Sequence, residues 1–467
     1  MGVTIPSAAG EVKEVYEISN SLRFNDDDSA SLSRAFSTDP SDQKLTTISF
    51  WFKIGNITSA FRALYRFNDG SNTGAIYLRS GNDLQFAWDV SSGTLDVRPD
   101  GVFRDPSAWY HCHIKVDTTQ GTAANRVIIH INGVERSYGT ATYPNQNATL
   151  QHLSNGKTYY VGGSPPNSDY YFDGYVTEFH VIDGQAKDYT DFGEFDDNGV
   201  WIPKRYTGTY GNNGFYLQFK QTGTSANSSG IGADTSGNDL HWTPSNLAAT
   251  DVTTDTCTNN YCTLNSIRGA IGSDSSNSTL SEGNLKSTGN NGDYKQCEGT
   301  IFPESGKWYW ETLIVSDGSD AGAIGIQRSG LAIGAYPGKT ANGYGYDSSG
   351  SGSKIHNNSR DTSYGSSFAA NDIIGTLLDL DNGTLTFYKN NSSQGQAYSG
   401  ITSSLGWGFG FGDAYGTVIV VNFGQEGSFA GNKTASGNSD ANGYGDFFYS
   451  VPSGYYALNT KNLAEFG

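Results

Sequence analysis

Acidic side chains are the first residues in this sequence that could do chemistry. Asp26, Asp27 and Asp28 follow one another directly and offer the hard oxygen ligands that calcium prefers. Calcium needs about six to eight oxygens, so a second loop must contribute, and Asp169 or Asp173 could do so. The alternative is a charged turn before a strand. We therefore expect no cofactor, with calcium at these carboxylates as the one exception.

A glycosidase-like carboxylate pattern begins in the stretch GEFDDNG, residues 193–199. Glycoside hydrolysis needs two carboxylates that flank the scissile bond. Glu194 and Asp196 have a suitable spacing, but no second glutamate follows within the stretch. The flanking glycines predict a turn-like, solvated acidic loop rather than a catalytic strand. The sequence also lacks a G-x-S-x-G nucleophile motif, so we expect no enzymatic activity.

Cysteine and histidine, which are softer metal ligands than carboxylates, are few in this sequence. Cys257, Cys262 and Cys297 could contribute to a zinc site, but the C-x4-C spacing of the first two fits known zinc sites poorly. A local disulfide or free thiols are the alternatives. His111 and His113 share one face of a predicted strand, yet no third ligand is identifiable, which favours structural histidines.

Aromatic and polar residues in glycine-rich loops are the best candidates for ligand contacts. Loop tips on a rigid sandwich are common recognition sites, and a tyrosine offers a sugar a flat apolar face and a hydroxyl. The alternative is that these tyrosines pack within the fold or against another subunit. The candidate residues are Asp169, Tyr170, Tyr171, Tyr344, Tyr346, Asp347, Lys354, His356, Asp413 and Tyr415.

The charge balance restricts the partners. The 467 residues include 29 Lys+Arg and 47 Asp+Glu, which gives a net charge of −18. No basic run exists that could bind nucleic acid, so we expect no nucleic-acid partner. No apolar stretch reaches the roughly 18 residues of a membrane span, and the first residues lack the apolar core of a signal peptide. We therefore expect synthesis in a cytoplasm and no membrane insertion.

The strand patterns predict an all-β protein with two antiparallel β-sandwich domains joined by a loop-rich bridge. The sequence has 60 glycines and 13% aromatic residues. Alternating or aromatic strands are predicted at 45–54, 109–117 and 307–315, among others. The Asn-Gly pairs at 132–133 and 382–383 predict two tight hairpins, because both residues accept a positive φ.

The same patterns predict the domain boundaries. Residues 1–20 form an N-terminal segment and residues 21–195 the first sandwich. Residues 196–276 form the bridge, with one strand at 214–220 that packs on the first sandwich. Residues 277–467 form the second sandwich.

Several motifs of the second sandwich resemble a SPRY domain. They are GKWYWE (306–311), IGI (324–326), the hairpin LDLDNGTLTFYKN (378–390) and VNFG (421–424). The resemblance implies binding through loops at one end of the sandwich. The first sandwich is similar to laminin-G-like, concanavalin-type jelly rolls in motifs such as FDGYVTEFHV (172–181). Some members of that family bind calcium at loop carboxylates, which the acidic cluster could match.

The combination of the two domains resembles virion proteins of marine tailed bacteriophages. Three segments carry this resemblance: SLRFNDDDSASLSR (21–34), WIPKRYTGTYG (201–211) and VPSGYYALNTKNL (451–463). It implies assembly in the host cytoplasm, location on the virion and contact with other virion proteins. Display in several copies would raise the avidity of weak modules, so we expect a homo-oligomer.

The expected function is that of a non-enzymatic virion surface protein, a tail fibre or appendage. It would bind a host-surface glycan or protein through its sandwich loops. The alternative is a capsid decoration or structural linker protein without a host ligand. A glycan-degrading enzyme is least favoured.

Overall fold

The computed structural model describes residues 15–57, 60–68, 73–90, 93–163, 170–267, 276–329, 336–402 and 406–467. Strands make up nearly all of its regular structure, which confirms the all-β prediction. Within these ranges, no helix has the length and apolar character to cross a bilayer.

The first sandwich and the bridge contain the strands β1 to β18 and three short 3₁₀ helices. The strands are Ser21–Phe24 (β1), Ser31–Ala35 (β2), Leu45–Ile54 (β3), Arg62–Asn68 (β4), Thr73–Leu78 (β5), Leu84–Val90 (β6), Gly93–Pro99 (β7), Trp109–Asp117 (β8), Val127–Ile131 (β9), Val134–Glu135 (β10), Tyr138–Thr142 (β11), Thr158–Val161 (β12), Gly174–Asp183 (β13), Gly193–Phe195 (β14), Trp201–Pro203 (β15), Phe215–Leu217 (β16), Thr243–Ser245 (β17) and Val252–Thr253 (β18). The 3₁₀ helices are Ala123–Arg126, Tyr189–Asp191 and Ala249–Asp251.

Two antiparallel sheets face each other in the first sandwich. One has the order β10-β9-β8-β3-β13-β1-β18, with β16 also paired to β13, and the other has the order β11-β7-β6-β5-β4-β12-β2-β17. Alternation along β3 places Phe50 and Phe52 in the core between the sheets. Ser49, Trp51 and Lys53 therefore lie on the outer face, where the candidate site is built.

The bridge contributes more strands than the one that the sequence predicts. Strand β16 pairs with β13, and β17 and β18 additionally extend the two sheets at β2 and β1. The carboxylate of Asp234 accepts hydrogen bonds from the backbone N–H groups of Tyr216, Ser236 and Leu240. These contacts give a segment without hydrophobic periodicity a defined fold.

The second sandwich contains the strands β19 to β33 and one helix, α1. The elements are Ser276–Asn277 (β19), Thr279–Ser281 (β20), Lys286–Thr288 (β21), Asn291–Glu298 (β22), Lys307–Ser316 (β23), Ala323–Arg328 (β24), Gly343–Asp347 (β25), Ser353–His356 (β26), Ser359–Asp361 (β27), Ile373–Asp379 (β28), Thr384–Lys389 (β29), Ser392–Tyr398 (β30), Trp407–Tyr415 (β31), Val418–Asn422 (β32), Tyr456–Ala457 (β33) and Thr460–Phe466 (α1). One sheet has the order β19-β22-β31-β24-β25-β26-β27, and the other has the order β20-β21-β32-β23-β28-β29-β30, with β33 beside β23.

Buried polar contacts join the two sandwiches. Arg23 of β1 is 1% exposed, and its guanidinium lies 3.0 Å from Asp251, 3.2 Å from Glu282 and 3.8 Å from Glu426. The Tyr175 hydroxyl donates to the carbonyl of Gly283 at 2.7 Å. A buried charge that lost these partners would be strongly unfavourable, so the contacts fix the junction.

Candidate functional site

An aromatic cluster covers part of the outer face of the first sandwich. Between β3 and β8, Trp51 is paired with His111 and Lys53 with Trp109. The hairpin β14–β15 lies over this face and stacks the ring of Trp201 on His111, with centroids 5.8 Å apart. Trp51, Trp109 and Trp201 are each less than a tenth exposed. The outer face is therefore apolar here, as the core is.

An open cleft of about 570 Å³ lies against these tryptophans. Its lining residues are Trp51, Trp109, Asn132, Val134, Phe195, Gly199, Val200, Trp201, Cys257, Asn260 and Thr460. Phe195, Val134 and Val200 are 48%, 52% and 57% exposed. No lining residue carries a charge. Exposed apolar side chains that converge on one concave surface are typical of a binding site.

The indole N–H groups of two cleft tryptophans point away from any ligand. Trp109 donates to Asp255 at 3.1 Å, and Trp201 donates to Nδ1 of His111 at 3.0 Å. Burial lowers the pKa of His111 to about 3, so its ring is neutral. Because Nδ1 accepts, Nε2 carries the proton and donates to the Ser49 hydroxyl at 2.9 Å. These bonds hold the rings in place before a ligand arrives.

Two hairpins shape the rim of the cleft. Asn132 and Gly133 form the predicted turn with φ values of 49° and 74°. A Cβ on Gly133 would lie 2.2 Å from the ring of Trp201, so the turn needs glycine for space as well as for φ. In the hairpin β14–β15, Asp196 accepts hydrogen bonds from two backbone N–H groups of its own turn and thereby acts as a turn cap.

The glycosidase-like stretch differs from the prediction in one respect. Glu194 lies in the short strand β14 and not in a loop, because β14 pairs with β15. Asp196 is occupied by the turn that it caps. The two carboxylates therefore serve different parts of the hairpin.

The tyrosine candidates of the second sandwich are strand residues. Tyr344, Tyr346 and Asp347 lie on β25, and Lys354 and His356 lie on β26, whereas the sequence predicted a glycine-rich loop. Tyr344 stacks on His356 with ring centroids 4.0 Å apart, and Tyr346 is fully buried. The loop prediction was wrong because the glycines make room for neighbouring backbone rather than for turns.

Polar contacts hold the two aspartate candidates of the second sandwich within the fold. Asp347 forms an ion pair with Arg360 at 2.8 Å. Asp413 accepts hydrogen bonds from the N–H groups of Tyr415 and Thr417 and so shapes the turn after β31. The Tyr415 side chain is 43% exposed. Its role in ligand binding stays a prediction.

The two tyrosine candidates of the first sandwich, Tyr170 and Tyr171, do not line the cleft. Asp169 lies outside the described residues. Tyr170 packs on Arg66, with the guanidinium carbon 5.2 Å from the ring centroid, and on Tyr77 at 5.7 Å between centroids. Tyr171 lies over Gly163, where an added Cβ would be 2.5 Å from its ring. Neither tyrosine lines the tryptophan cleft.

The calcium candidates are only partly brought together. Asp173 is fully buried, and burial and the charges of Asp26 and Asp27 raise its pKa to about 8. Asp28 instead accepts a hydrogen bond from Asn25 at 2.9 Å. In the described ranges, no group of three His, Cys, Asp or Glu side chains has a metal-binding arrangement. Calcium binding stays a prediction.

None of the four cysteines forms a disulfide. Cys262 and Cys297 are buried, and Cys257 is partly buried beside the tryptophan cluster. The alternative of a local disulfide is therefore not realised in the structure.

Comparisons with known proteins agree with the two-domain organisation. Residues 24–187 match the family described as Concanavalin A-like lectin/glucanases superfamily, and residues 307–426 match the SPRY domain family. The chain combines a laminin-G-like, concanavalin-like sandwich with a SPRY domain. The two domain resemblances are thus confirmed, and both domains are of a binding type, whereas these comparisons do not indicate a bacteriophage virion protein.

Curated relatives share only part of their length with this chain. Ran-binding protein 10 of Danio rerio is 31% identical over 122 residues, which are 26% of this chain and 20% of the relative. Ran-binding protein 9 of Homo sapiens is 32% identical over 121 residues, 26% of this chain and 16% of the relative. The matched region therefore spans a fifth or less of these relatives.

Two solved structures are each similar to part of the chain. The SPRY domain of human HERC1 has a TM-score of 0.27 at 19% identity and covers 29% of this chain and 87% of its own. A heptameric SAP-like pentraxin from Limulus polyphemus has a TM-score of 0.28 at 13% identity and covers 37% of this chain and 80% of its own.

Proposed function

We propose that this chain is a non-enzymatic binding protein whose tryptophan cleft holds an uncharged, apolar segment of a partner protein. The observation that carries the proposal is the convergence of Val134, Phe195 and Val200 on a cleft walled by tryptophans. Apolar side chains that stay in water unless a partner covers them favour association, because their burial releases roughly 25 cal/mol per Å².

The hydrogen-bonding groups of the cleft favour a protein ligand over a glycan. The Asn260 amide already donates to the carbonyl of Ser107 and accepts from Lys53. Oδ1 of Asn132 accepts from the N–H of His111 at 2.7 Å. Each sugar hydroxyl buried without a partner costs about 1–3 kcal/mol. Proline or aliphatic side chains do not incur this penalty.

The uncharged lining of the cleft predicts how binding depends on the salt concentration. With no charged lining residue, the contact is expected to lack a strong Coulombic component, despite the net charge of −18. Binding should therefore change little between low and moderate ionic strength. A steep loss of affinity with salt would indicate a different site.

A peptide display library and a glycan array, both probed with the full chain, test the proposal. We expect selected peptides rich in proline or aliphatic residues, and at least about tenfold weaker binding by the double variant Phe195→Ser, Val200→Ser. Val102→Ser is the matched control, because Val102 is 53% exposed but does not line the cleft. If the wild-type chain bound a glycan and the double variant did not, the ligand of the cleft would be a sugar and the proposal of a protein segment would be wrong.

We also propose that this protein is located on a bacteriophage virion. A virion surface would use such a cleft for attachment to a host protein, and the structural linker alternative would use it for another virion protein. A map of the particle would locate the chain, and virions that lack it would adsorb normally if it has no attachment role. The relatives' names record binding of Ran, which agrees with protein binding as the general class of function.

A further inference from the structure

A buried lysine, aspartate and asparagine meet beneath the tryptophan cleft. Nζ of Lys53 lies 2.8 Å from Oδ2 of Asp255, 2.8 Å from Oδ1 of Asn260 and 3.1 Å from the carbonyl oxygen of Tyr261. The side chains of Lys53 and Asp255 are 1% and 0% exposed. The three protons of the ammonium group therefore have three acceptors, and one of them belongs to a side-chain amide.

The chain folds so that the acid and the amide reach the same lysine. Thr256 and Asn259 exchange backbone hydrogen bonds of 3.1 and 3.2 Å, and this tight turn brings Asp255 and Asn260 together. The N–H of Tyr261 donates to Oδ1 of Asp255 at 3.2 Å and helps to fix the carboxylate. The turn thus fixes the positions of the acid and the amide relative to Lys53.

Aromatic rings enclose the group. The indole N–H of Trp109 donates to Oδ1 of Asp255, and the ring centroid of Tyr175 lies 5.7 Å from Nζ of Lys53. Transfer of one proton from Nζ to Oδ2 of Asp255, 2.8 Å away, would leave an amine with a free electron pair 2.8 Å from Oδ1 of the Asn260 amide.

We propose that Lys53 and Asn260 form an intramolecular isopeptide bond with Asp255 as the proton carrier. Nζ of Lys53 gives a proton to Asp255 and attacks Cγ of Asn260, and the C–N bond to Nδ2 then breaks. Nδ2 takes the proton from Asp255 and a second proton from the attacking nitrogen, and it leaves as an ammonium ion, which returns Asp255 to its carboxylate form. The product is an amide between Nζ and Cγ, and no oxidant, reductant or other reactant is consumed.

Two features favour Asn260 as the reacting group. It lines the open cleft, so the ammonium ion has a way out. Its Nδ2 is held by the carbonyl of Ser107 at 2.6 Å, which fixes the amide plane. The bond would join strand β3 to a position 207 residues later, just before the second sandwich. It would thus tie the first sandwich covalently to the junction.

The test is the intact mass of the purified, folded full chain. We expect a mass lower by one ammonia than the sequence mass, and a branched peptide after proteolysis that contains Lys53 and Asn260. Lys53→Met and Asn260→Ala should restore the mass expected from their sequences. Asp255→Asn keeps the volume of the side chain but removes the proton acceptor, so it should also leave the chain unlinked. Lys307→Met, at the partly exposed ion pair with Asp379, is the matched control and should keep the loss.

Two results would overturn the proposal. One is a wild-type chain, folded by circular dichroism and aged at neutral pH, that keeps the full sequence mass. The other is a loss of ammonia that maps to a single unbranched peptide, as a succinimide at Asn132-Gly133 or Asn382-Gly383 would. Because the wild-type protein alone decides both, the test does not depend on the folding of the variants.

Discussion

The buried carboxyl of Asp173 makes the stability of the first sandwich depend on pH in a way that one substitution can expose. Oδ2 accepts a 3.2 Å hydrogen bond from the N–H of Asn56, and Oδ1 has no hydrogen-bond partner. Burial and the neighbouring Asp26 raise the pKa from 3.8 to about 8, against the opposing charge of Arg62. We therefore expect Asp173 to be protonated at neutral pH, and Asp173→Asn to mimic that neutral form.

The size of the stability difference between Asp173→Asn and the wild type follows from the raised pKa of Asp173. Between 3.8 and about 8 the folded protein binds one proton more than the unfolded chain, so this group's contribution to stability is complete below 3.8 and is lost as the pH rises. The loss is about 1.4 kcal/mol per pH unit. The asparagine does not titrate, so the stability of the variant relative to wild type should rise with that slope, to about 4 kcal/mol near neutral pH.

Hydrogen exchange of the β13 amides in urea measures this difference in the sandwich that contains Asp173. The wild type, Asp173→Asn and the control Asp239→Asn would be compared from about pH 5 to about pH 8. Asp239 has a 90% exposed side chain, so its substitution should give a flat line near zero. A flat line for Asp173→Asn would refute the reasoning, because it would mean that Asp173 is ionised in the folded protein.

The same experiment with added calcium tests the calcium prediction. A calcium ion near Asp26 and Asp173 would require both carboxylates in their ionised form. Calcium that stabilises the wild type but not Asp173→Asn would therefore establish a site that the three-ligand geometry does not show. Equal effects on both proteins would exclude a role of Asp173 in calcium binding.

Three further substitutions test the junction, the rim of the cleft and the core. Arg23→Met should lower the free energy of unfolding by about 3–5 kcal/mol in urea titrations, because it leaves the surrounding carboxylates unpaired. Gly133→Ala should lower it by about 2–4 kcal/mol and alter the tryptophan emission, because of its positive φ and the ring of Trp201. Burial lowers the pKa of His152 from 6.5 to about 3. The contribution of this neutral side chain to stability is therefore complete above pH 6.5 and is lost as the pH falls toward 3. His152→Gln should therefore reduce the loss of urea resistance between about pH 7 and about pH 5.

Local patterns were enough to predict most strands. Strands β3 and β8 have the predicted bounds, because β-branched and aromatic residues at these positions are buried on the core face and covered on the other. The Asn132-Gly133 hairpin follows from φ values that these residues adopt at little cost. Each of these features depends on neighbours within a few residues.

The bridge could not be predicted in the same way. Its fold depends on hydrogen bonds to the carboxylate of Asp234 and on strands β17 and β18, whose partners are more than 200 residues earlier. Neither the hydrogen bonds to Asp234 nor these distant strand pairs produce a periodic pattern in the sequence. In strand β25, Gly345 resembles a loop residue, but a Cβ there would lie 2.3 Å from the carbonyl of Pro337, so glycine serves a close approach of backbone.

The tryptophan cleft was not predicted from the sequence, although the sequence contains one pattern that indicates it. Three consecutive aromatic residues at 50–52 break the alternation of a half-exposed strand and indicate that its outer face is also covered. The sequence does not say what covers it: Trp201, Asn260 and Thr460 come from the β14–β15 hairpin, the bridge and helix α1. A cleft built from such distant segments keeps its shape only if the junction is fixed. The buried contacts of Lys53 therefore matter for the proposed binding as well as for stability, because they hold the wall of the cleft in place.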